Sequence, residues 1–546
     1  MNANDRVRGS GRDVLAVLLF VGVGVLLYQM KASAYLTSVP GDLIDARFNS
    51  VILEHLHQWV LGQTPSLWSP GFFYPAKDVL ALGPNHLGSF LPYSAMRLIG
   101  LDREQAFTLW FILGGVLNFL CAYIAFRKLG LRASGAGAAA FVFAFSLPVL
   151  AQQAHAQFAY RMFVPFAFAC FYDWLRTARP YALAWSALCL MAQFYCSIDV
   201  GVFTVYLLIA MLLAWLIAGR GGEIYAQVRS FLTFSKLRES LIAVAVISSS
   251  CALVLVLLLK CREAIRENGV VYSHEDVIGM LPQVWSYLIA DYSGLTRDIG
   301  AWIQGVSVRQ EQQLFIGVGV LLFCLIGSLV VLRKIENADL GKVSLLATLV
   351  LIVGTLNIGA FSLYPILLNL PGIAAVKVVT RVLLVMVVPI GILCGIGFQR
   401  MLMLHCNGGA LRQLVSAAFL FVLLVLESVM FQPNSTPFMD WRARLDAFAS
   451  RVPEEGRGVG GVLFAERSMQ APYMEDLDAM MYAQDHGMVT ANGYSFYVPK
   501  GAGVAGSCDS PDRFVASYGN NAGLSLTGQL DIRQKIVVVP FGTCRP

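Results

Sequence analysis

The sequence predicts an all-α polytopic membrane protein of about eleven transmembrane helices, with a large first outer loop and a small α/β domain at its C-terminal end. Three observations carry this expectation. Of 546 residues, 57% are hydrophobic and 14% charged, where a soluble globular chain carries about 25% charged residues. Apolar stretches recur at roughly 14–35, 104–126, 133–150, 159–175, 181–198, 200–219, 239–259, 314–332, 342–362, 379–399 and 411–431, each near the ~20 residues that a bilayer core demands. Beyond residue 431 the chain turns polar, opens on the linker QPNSTP and holds the strand-like run KIVVVP at 535–540. The expected division is residues 1–431 as a membrane module and 432–546 as the C-terminal domain.

Taken in order, the first apolar run is too long for the core of a cleavable leader and reads as a retained anchor. Basic residues then recur in every second short loop. They are Arg6, Arg8 and Arg12; Arg127, Lys128 and Arg132; Arg176 and Arg179; Arg220, Arg229, Lys236 and Arg238; Arg333, Lys334 and Lys342; and Arg400 and Arg412. The positive-inside rule makes these loops and the N-terminus cytoplasmic, and an odd number of spans leaves the C-terminus outside. Four segments then share the outer face: 36–103, the AQQAHAQ turn at 151–157, 260–313, and the C-terminal domain. The net charge of +6 is dispersed over these loops, which excludes a nucleic-acid footprint. The partners expected are membrane lipids.

The stretch VPGDLIDARFNSVILEHLHQWVLG (39–62) places Asp42, Asp45, Arg47, Asn49, Glu54, His55 and His57 at the water edge of the first span. Ionisable groups there point to chemistry. The same G-D-x-x-D pattern also serves as a helix N-cap. LEHLHQWVLG predicts a short amphipathic helix. The aromatic run after it predicts interfacial segments with Trp68, Phe72, Phe73 and Tyr74 at headgroup level. Lys377 and Arg381, four residues apart, share one helix face at the outer end of a late span. They suit a lipid phosphate, or they are snorkelling cations. Arg161 is a second cation, for phosphate or for a structural contact with an acid or a carbonyl. His155 suits acceptor hydroxyls or a metal, or it is a turn histidine facing water. Glu275, Asp276 and Glu311 could line the same cavity. Glu54 and His55 together with an Asp could hold a divalent metal ion. His55 and His57 point to different helix faces and make a poor metal pair.

Several motifs in chain order resemble the GT-C glycosyltransferase superfamily of bacterial polytopic proteins. They are GD after the first span followed by FFYP…LALGPNHLG (to Gly88), HAQFAYRMFVPFAFACFYDWLR (155–176), PQVWSYLIADYSG (282–294), EQQLFIGVGVLL (311–322), LPGIAAVKVVTRVLLVMVVPIGILCGIGF (370–398) and TANGYSFYVP (490–499). The resemblance spans most of the chain. It implies a multi-pass enzyme of the inner membrane with a large periplasmic first loop and a periplasmic C-terminal domain. It also implies transfer of a sugar from a polyprenyl-phosphate-linked donor to a glycan, lipid or protein acceptor. Carried over, Asp42 takes the position of the catalytic base and Asp45 is its nearest alternative. Lys377 and Arg381 take the phosphate, with Arg161 and His155 as further substrate contacts. Asn85 and His86 fall in a substrate-proximal loop, and Asn492, Gly493, Tyr494 and Ser495 match a tail signature that also reads as a simple turn. RQEQQ at 309–313 departs from the His-Glu or Glu of related enzymes. A lipid or polysaccharide transporter, or a catalytically inactive relative with an assembly role, are the rival readings.

Of the eleven cysteines, Cys121, Cys170, Cys189, Cys251, Cys324 and Cys394 lie in apolar runs and read as small core residues. Cys508 and Cys544 stand alone in the polar tail, where an oxidising compartment pairs them. Intact-mass comparison of alkylated protein with and without reductant is expected to show one protected pair. Two free thiols in those positions would refute it.

Overall fold

Each of the eleven apolar stretches is helical over most of its length in the computed structural model, which describes residues 3–230, 237–270, 274–368, 376–405, 409–454, 460–467, 472–502 and 511–540. Among the described residues, eight helices are long and apolar enough to cross a membrane: Asp13–Ala32, Arg103–Lys128, Ala133–Ala151, Ile198–Ile217, Leu237–Glu267, Ala338–Thr355, Val379–His405 and Leu411–Val429. Three of the eleven fall short, and local chemistry explains each. Val164–Thr177 starts late, with a proline in its first turn, because the chain at 160–163 is not helical. Pro180–Cys196 starts at a proline, whose missing N–H suits a helix N-terminus. Val318–Leu332 cannot extend backwards through Gly317, whose φ of +97° lies outside helical space.

The helix Val379–His405 is the axis of the bundle and lies wholly inside it over its apolar window. Small residues let its neighbours touch its backbone. A Cβ on Gly327 would sit 2.0 Å from the Leu393 carbonyl oxygen, and one on Gly397 would sit 2.0 Å from that of Phe323. Gly395 faces the backbone of Gly135 in the same way. Close backbone approach is how helices associate in lipid, where burial of apolar area gives no net drive.

On one side of the bundle the loops build a second hydrophobic cluster. The chain leaving the first span forms the strand Ser38–Pro40, which pairs antiparallel with Ser435–Pro437 at the start of the C-terminal segment. That segment carries a three-stranded parallel sheet in the order Val489–Thr490, Val462–Ala465, Ile536–Val539. The helices Phe438–Ala449, Pro472–Asp485, Pro511–Asn521 and Leu526–Lys535 accompany it. The first-loop helix Asp45–Val60 is locked to Pro472–Asp485 by a fully buried ion pair between Arg47 and Asp478, which Arg444 also meets.

The short amphipathic helix expected over LEHLHQWVLG forms as the C-terminal part of Asp45–Val60, with Ala46 through His57 buried and Trp59 and Val60 exposed. The interfacial reading of the aromatic run after it is corrected. Phe72 and Phe73 are 2% and 1% exposed, in the core of the loop cluster and away from lipid headgroups, and Trp68 and Tyr74 pack against them. Cys508 and Cys544 lie outside the described residues, as does the Pro371–Gly372 part of the late-span motif.

The helix contacts give a direct test. Gly327→Ala forces backbone apart and is expected to cost about 1–3 kcal/mol through overpacking, read as a lower melting midpoint in detergent by fluorescence-detected size exclusion. Gly354→Ala, where a Cβ meets nothing within 4 Å, is the control and leaves the midpoint unchanged. Equal midpoints for the two variants would refute the close packing.

Candidate active site at the loop face of the bundle

Five ionisable side chains from five segments meet where the loops join the bundle. Asp45 opens the first-loop helix. His155 comes from the AQQAHAQ turn, Asp199 from the first turn of Ile198–Ile217, Glu311 from a short 3₁₀ turn, and Arg381 from the turn that starts Val379–His405. His155 bridges two carboxylates: its Nδ1 is 2.8 Å from Asp45 Oδ2 and its Nε2 is 3.0 Å from Glu311 Oε1. Arg381 grips Glu311 through Nη2 to Oε1 at 2.7 Å and Nε to Oε2 at 3.3 Å. Its Nη1 lies 3.6 Å from Asp199 Oδ2. The guanidinium lies 4.8 Å from the centre of the Phe158 ring. Gln152 Nε2 donates to the second Glu311 oxygen at 3.2 Å, and the Tyr494 hydroxyl donates to Asp45 Oδ1 at 2.9 Å.

Burial works against every charge here, and pairing decides the outcome. Burial pushes the Asp45 carboxyl up, but His155, Tyr494 and Arg381 outweigh it and hold it below the ordinary carboxylate value. Burial raises Glu311 too, and Arg381 with His155 holds it far down. Burial and the Arg381 charge lower His155, yet the hydrogen bonds it donates to Asp45 and Glu311 raise it above the usual imidazole value. An imidazolium donating through both nitrogens fits this geometry. Asp42 differs: burial first, then the Asp45 charge, raises its carboxyl, against the backbone N–H groups of Ile44, Asp45 and Ala46. Its Oδ1 accepts from the N–H of Ile44 at 3.0 Å and of Asp45 at 2.8 Å. Asp42 therefore holds the turn that leads into the first-loop helix, beside the ionic cluster and outside it. Gly41, at φ +106°, makes the turn that puts it there.

The other sequence candidates are placed as follows. Lys377 and Arg381 do not share a helix face, because Val376–Val378 is not helical and the 3₁₀ turn begins at Val379. Lys377 points instead to Asp276 at 3.5 Å and lies 5.5 Å from the ring centre of Phe496. Arg161 is buried and donates to the carbonyls of Leu384 at 2.9 Å and Phe143 at 3.1 Å, which is the structural carbonyl contact, and it lines a cavity together with His155 and Gln152. His86 is also closed off: its Nε2 meets Asn49 Oδ1 at 2.7 Å, and burial pushes the imidazole down to about 3. Asn85 accepts from the Leu87 N–H at 3.1 Å and is equally buried. Both hold the first loop together, and Asn49 passes that order to the Asp45 backbone carbonyl at 2.7 Å. His155 is no water-facing turn histidine.

The metal set expected of Glu54 and His55 does not form. Glu54 pairs with Arg97 and Tyr93, and His55 bonds the Leu67 carbonyl. Among the described residues no group of three or more His, Cys, Asp and Glu side chains offers a metal-ion site. Between Asp45 and Glu311 the cation is His155 itself. The tail signature is more than a turn. Asn492 bonds both the N–H and the carbonyl of Ala465, and Gly493 leaves no room for a Cβ against the Phe73 ring. Tyr494 reaches Asp45, and Ser495 donates to the Leu82 carbonyl at 3.3 Å. Glu311 and Tyr494 are the residues that sequence reasoning underrated. The signals for both were their place in outer segments and in the motifs TANGYSFYVP and EQQLFIGVGVLL.

No protein-family model and no curated protein matches the chain. Among solved structures it is similar to the archaeal oligosaccharyltransferase AglB from Archaeoglobus fulgidus in complex with an inhibitory peptide and a dolichol-phosphate. That match has 12% identity and a TM-score of 0.48 over 88% of this chain and 64% of the other. The apo form of the Archaeoglobus fulgidus oligosaccharyltransferase matches at 12% identity and a TM-score of 0.46, over 89% of this chain and 64% of that one. The chain thus spans less than two thirds of the length of those structures.

The sign of the pH response follows from the pairings. His155 titrates above its unfolded value of about 6.5. The stability it adds is fully present below that pH and is lost as pH rises through its folded value. Asp45 and Glu311 contribute above about pH 4 and lose their share as pH falls through their depressed values. Wild type is therefore expected to exceed His155→Gln in thermal midpoint most between about pH 5 and 6.5, with the gap narrowing toward alkaline pH. A gap that widens as pH rises would contradict an imidazolium.

Proposed function

We propose that the chain is a GT-C-type glycosyltransferase of the bacterial inner membrane, with its N-terminus cytoplasmic and its loop face periplasmic. It moves a sugar from a polyprenyl-phosphate donor to a glycan, lipid or protein acceptor. The observation that supports this reading is the convergence of Asp45, His155, Glu311 and Arg381, with Asp42 beside them, from segments that the charge pattern of the loops assigns to one face. A transporter reading calls for charges paired along a mid-membrane path. Here they gather at the loop edge.

In this reading Asp42 is the general base and Asp45 is its alternative. Its raised carboxyl is the better matched of the two to accept a proton near neutral pH. As the acceptor hydroxyl attacks the anomeric carbon, its proton passes to the carboxylate. The new C–O bond forms while the bond from that carbon to the phosphate oxygen breaks, and polyprenyl phosphate leaves with the electron pair. Tyr494 and His155 hold Asp45 ionised, which keeps Asp42 basic through its neighbouring charge. Lys377, a quarter exposed, meets the leaving phosphate, while Arg381, under a tenth exposed and bound to Glu311, holds the cluster beside it.

Mass spectrometry of glycans and glycolipids from cells carrying wild type, a deletion or Asp42→Asn tests the proposal. Loss of one sugar from one species is expected in both mutants, with transfer in the variant down about 10²–10⁴-fold and the variant protein still in the membrane. Full rescue of the deletion by Asp42→Asn moves the base to Asp45. Full rescue by both Asp42→Asn and Asp45→Asn supports the inactive assembly reading. Unchanged species that accumulate on one side of the membrane point to transport.

A further inference from the structure

The loop between Leu237–Glu267 and Val318–Leu332 exposes a patch unlike the rest of the loop face. Trp285 is 48% and Trp302 62% exposed, and the two rings meet edge to face with centroids 5.5 Å apart. Val284, Leu295 and Ile299 are exposed on the same short stretch of chain, and Phe361 is exposed just beyond the end of Ala338–Thr355. Apolar area of this kind, with two tryptophans, marks a contact surface.

Its level relative to the bundle is fixed. Asn357, two residues past the end of Ala338–Thr355, donates to the Pro282 carbonyl at 2.7 Å and bridges to Gln283. Gly294 donates to the Met430 carbonyl at 3.0 Å, and Gln432 donates to that of Tyr292 at 2.8 Å. These are the residues that directly follow Leu411–Val429. Residues 282–294 therefore lie at the height where two membrane-crossing helices end. That height is the boundary between acyl chains and headgroups, where the amphipathic ring of tryptophan is most stable. Arg309 closes the loop behind the patch. It binds Asp291 at 2.8 Å through both Nε and Nη2, and it donates to the carbonyls of Ile303 and Gly300.

We propose that residues 282–308 form a membrane-seated platform, with Trp285 and Trp302 inserted at the headgroup–acyl boundary of the bilayer leaflet on the loop face. The occupant of the patch is the lipid surface, which continues the lipid-facing apolar belt of the spans. The platform also sets the depth of Glu311, which follows on the same loop beyond Arg309. This inference concerns the lipid contact and is independent of the reaction that the cluster carries out.

The test is fluorescence quenching in phospholipid nanodiscs. The emission of wild type, with its nine tryptophans, minus that of Trp285→Phe/Trp302→Phe isolates the two residues. Trp302→Phe alone gives a second difference should the double variant fold poorly. The isolated emission is expected to be blue-shifted, to lose most of its intensity to 5-doxyl phosphatidylcholine and less to the 12-doxyl lipid, and to resist aqueous iodide. Strong iodide quenching without doxyl quenching would place the pair in water and overturn the platform. Resistance to both quenchers would mean that protein covers the patch, and would overturn it equally.

Discussion

The Asp45–His155–Glu311–Arg381 chain is the interaction on which the loop face depends. Removing charges from water costs several kcal/mol per ion, and only close geometry with further hydrogen bonds offsets it. Glu311 and Arg381 are both under a tenth exposed, and His155 is about one fifth exposed. None of them can be left alone. Each therefore demands that its segment return to the same point, and the segments are far apart in sequence. His155 needs both carboxylates, Glu311 needs both cations, and Arg381 adds Asp199. The result is a closed set in which loss of one member strands the others. That explains why a turn, a 3₁₀ turn and a helix start with little local stability hold a defined arrangement.

The C-terminal segment belongs to the same set. It enters beside the first loop through the Ser38–Pro40 and Ser435–Pro437 pair. It is held by Arg47 on Asp478, and it delivers Tyr494 to Asp45. Asn492 is the hinge of that delivery. Bonded to both backbone groups of Ala465 and to Asp476, it fixes the end of the sheet, and Tyr494 follows two residues later. The first-loop helix is thereby clamped from both sides, which is why a stretch with two histidines, a glutamate and an arginine is buried instead of solvated.

How much of this was legible in the sequence follows from what each level of structure depends on. Hydrophobic runs are local, so the apolar helices could be read, eight of them, among the described residues, long enough to cross a membrane. The basic loops are local too, and the parity they set put Asp45, His155, Glu311 and Tyr494 on one face. What failed depended on partners distant in sequence. Phe72 and Phe73 look interfacial until the C-terminal segment covers them. Lys377 and Arg381 have helical spacing, but the helix had not begun. Asp42 and Asp45 present the same side chain three residues apart, and nothing local says that one holds the turn before the helix while the other joins the ion chain. Glu54 looked like a ligand because its partner Arg97 lies 43 residues away.

The charge balance of the cluster constrains what can bind there. Asp45, Glu311 and Asp199 set three carboxylates against the cations His155 and Arg381, and Asp42 adds a fourth acid close by. A phosphate placed among them would face net repulsion at short range, while sugar hydroxyls would find acceptors on every side. The more open cation is Lys377, which is a quarter exposed, 3.5 Å from the half-exposed Asp276 and over the ring of Phe496. For the transfer reaction proposed above, a donor with its phosphate toward Lys377 and its sugar toward the carboxylates would meet both requirements. The paired interior of the cluster holds charge and orientation, because each of its members is already committed to another.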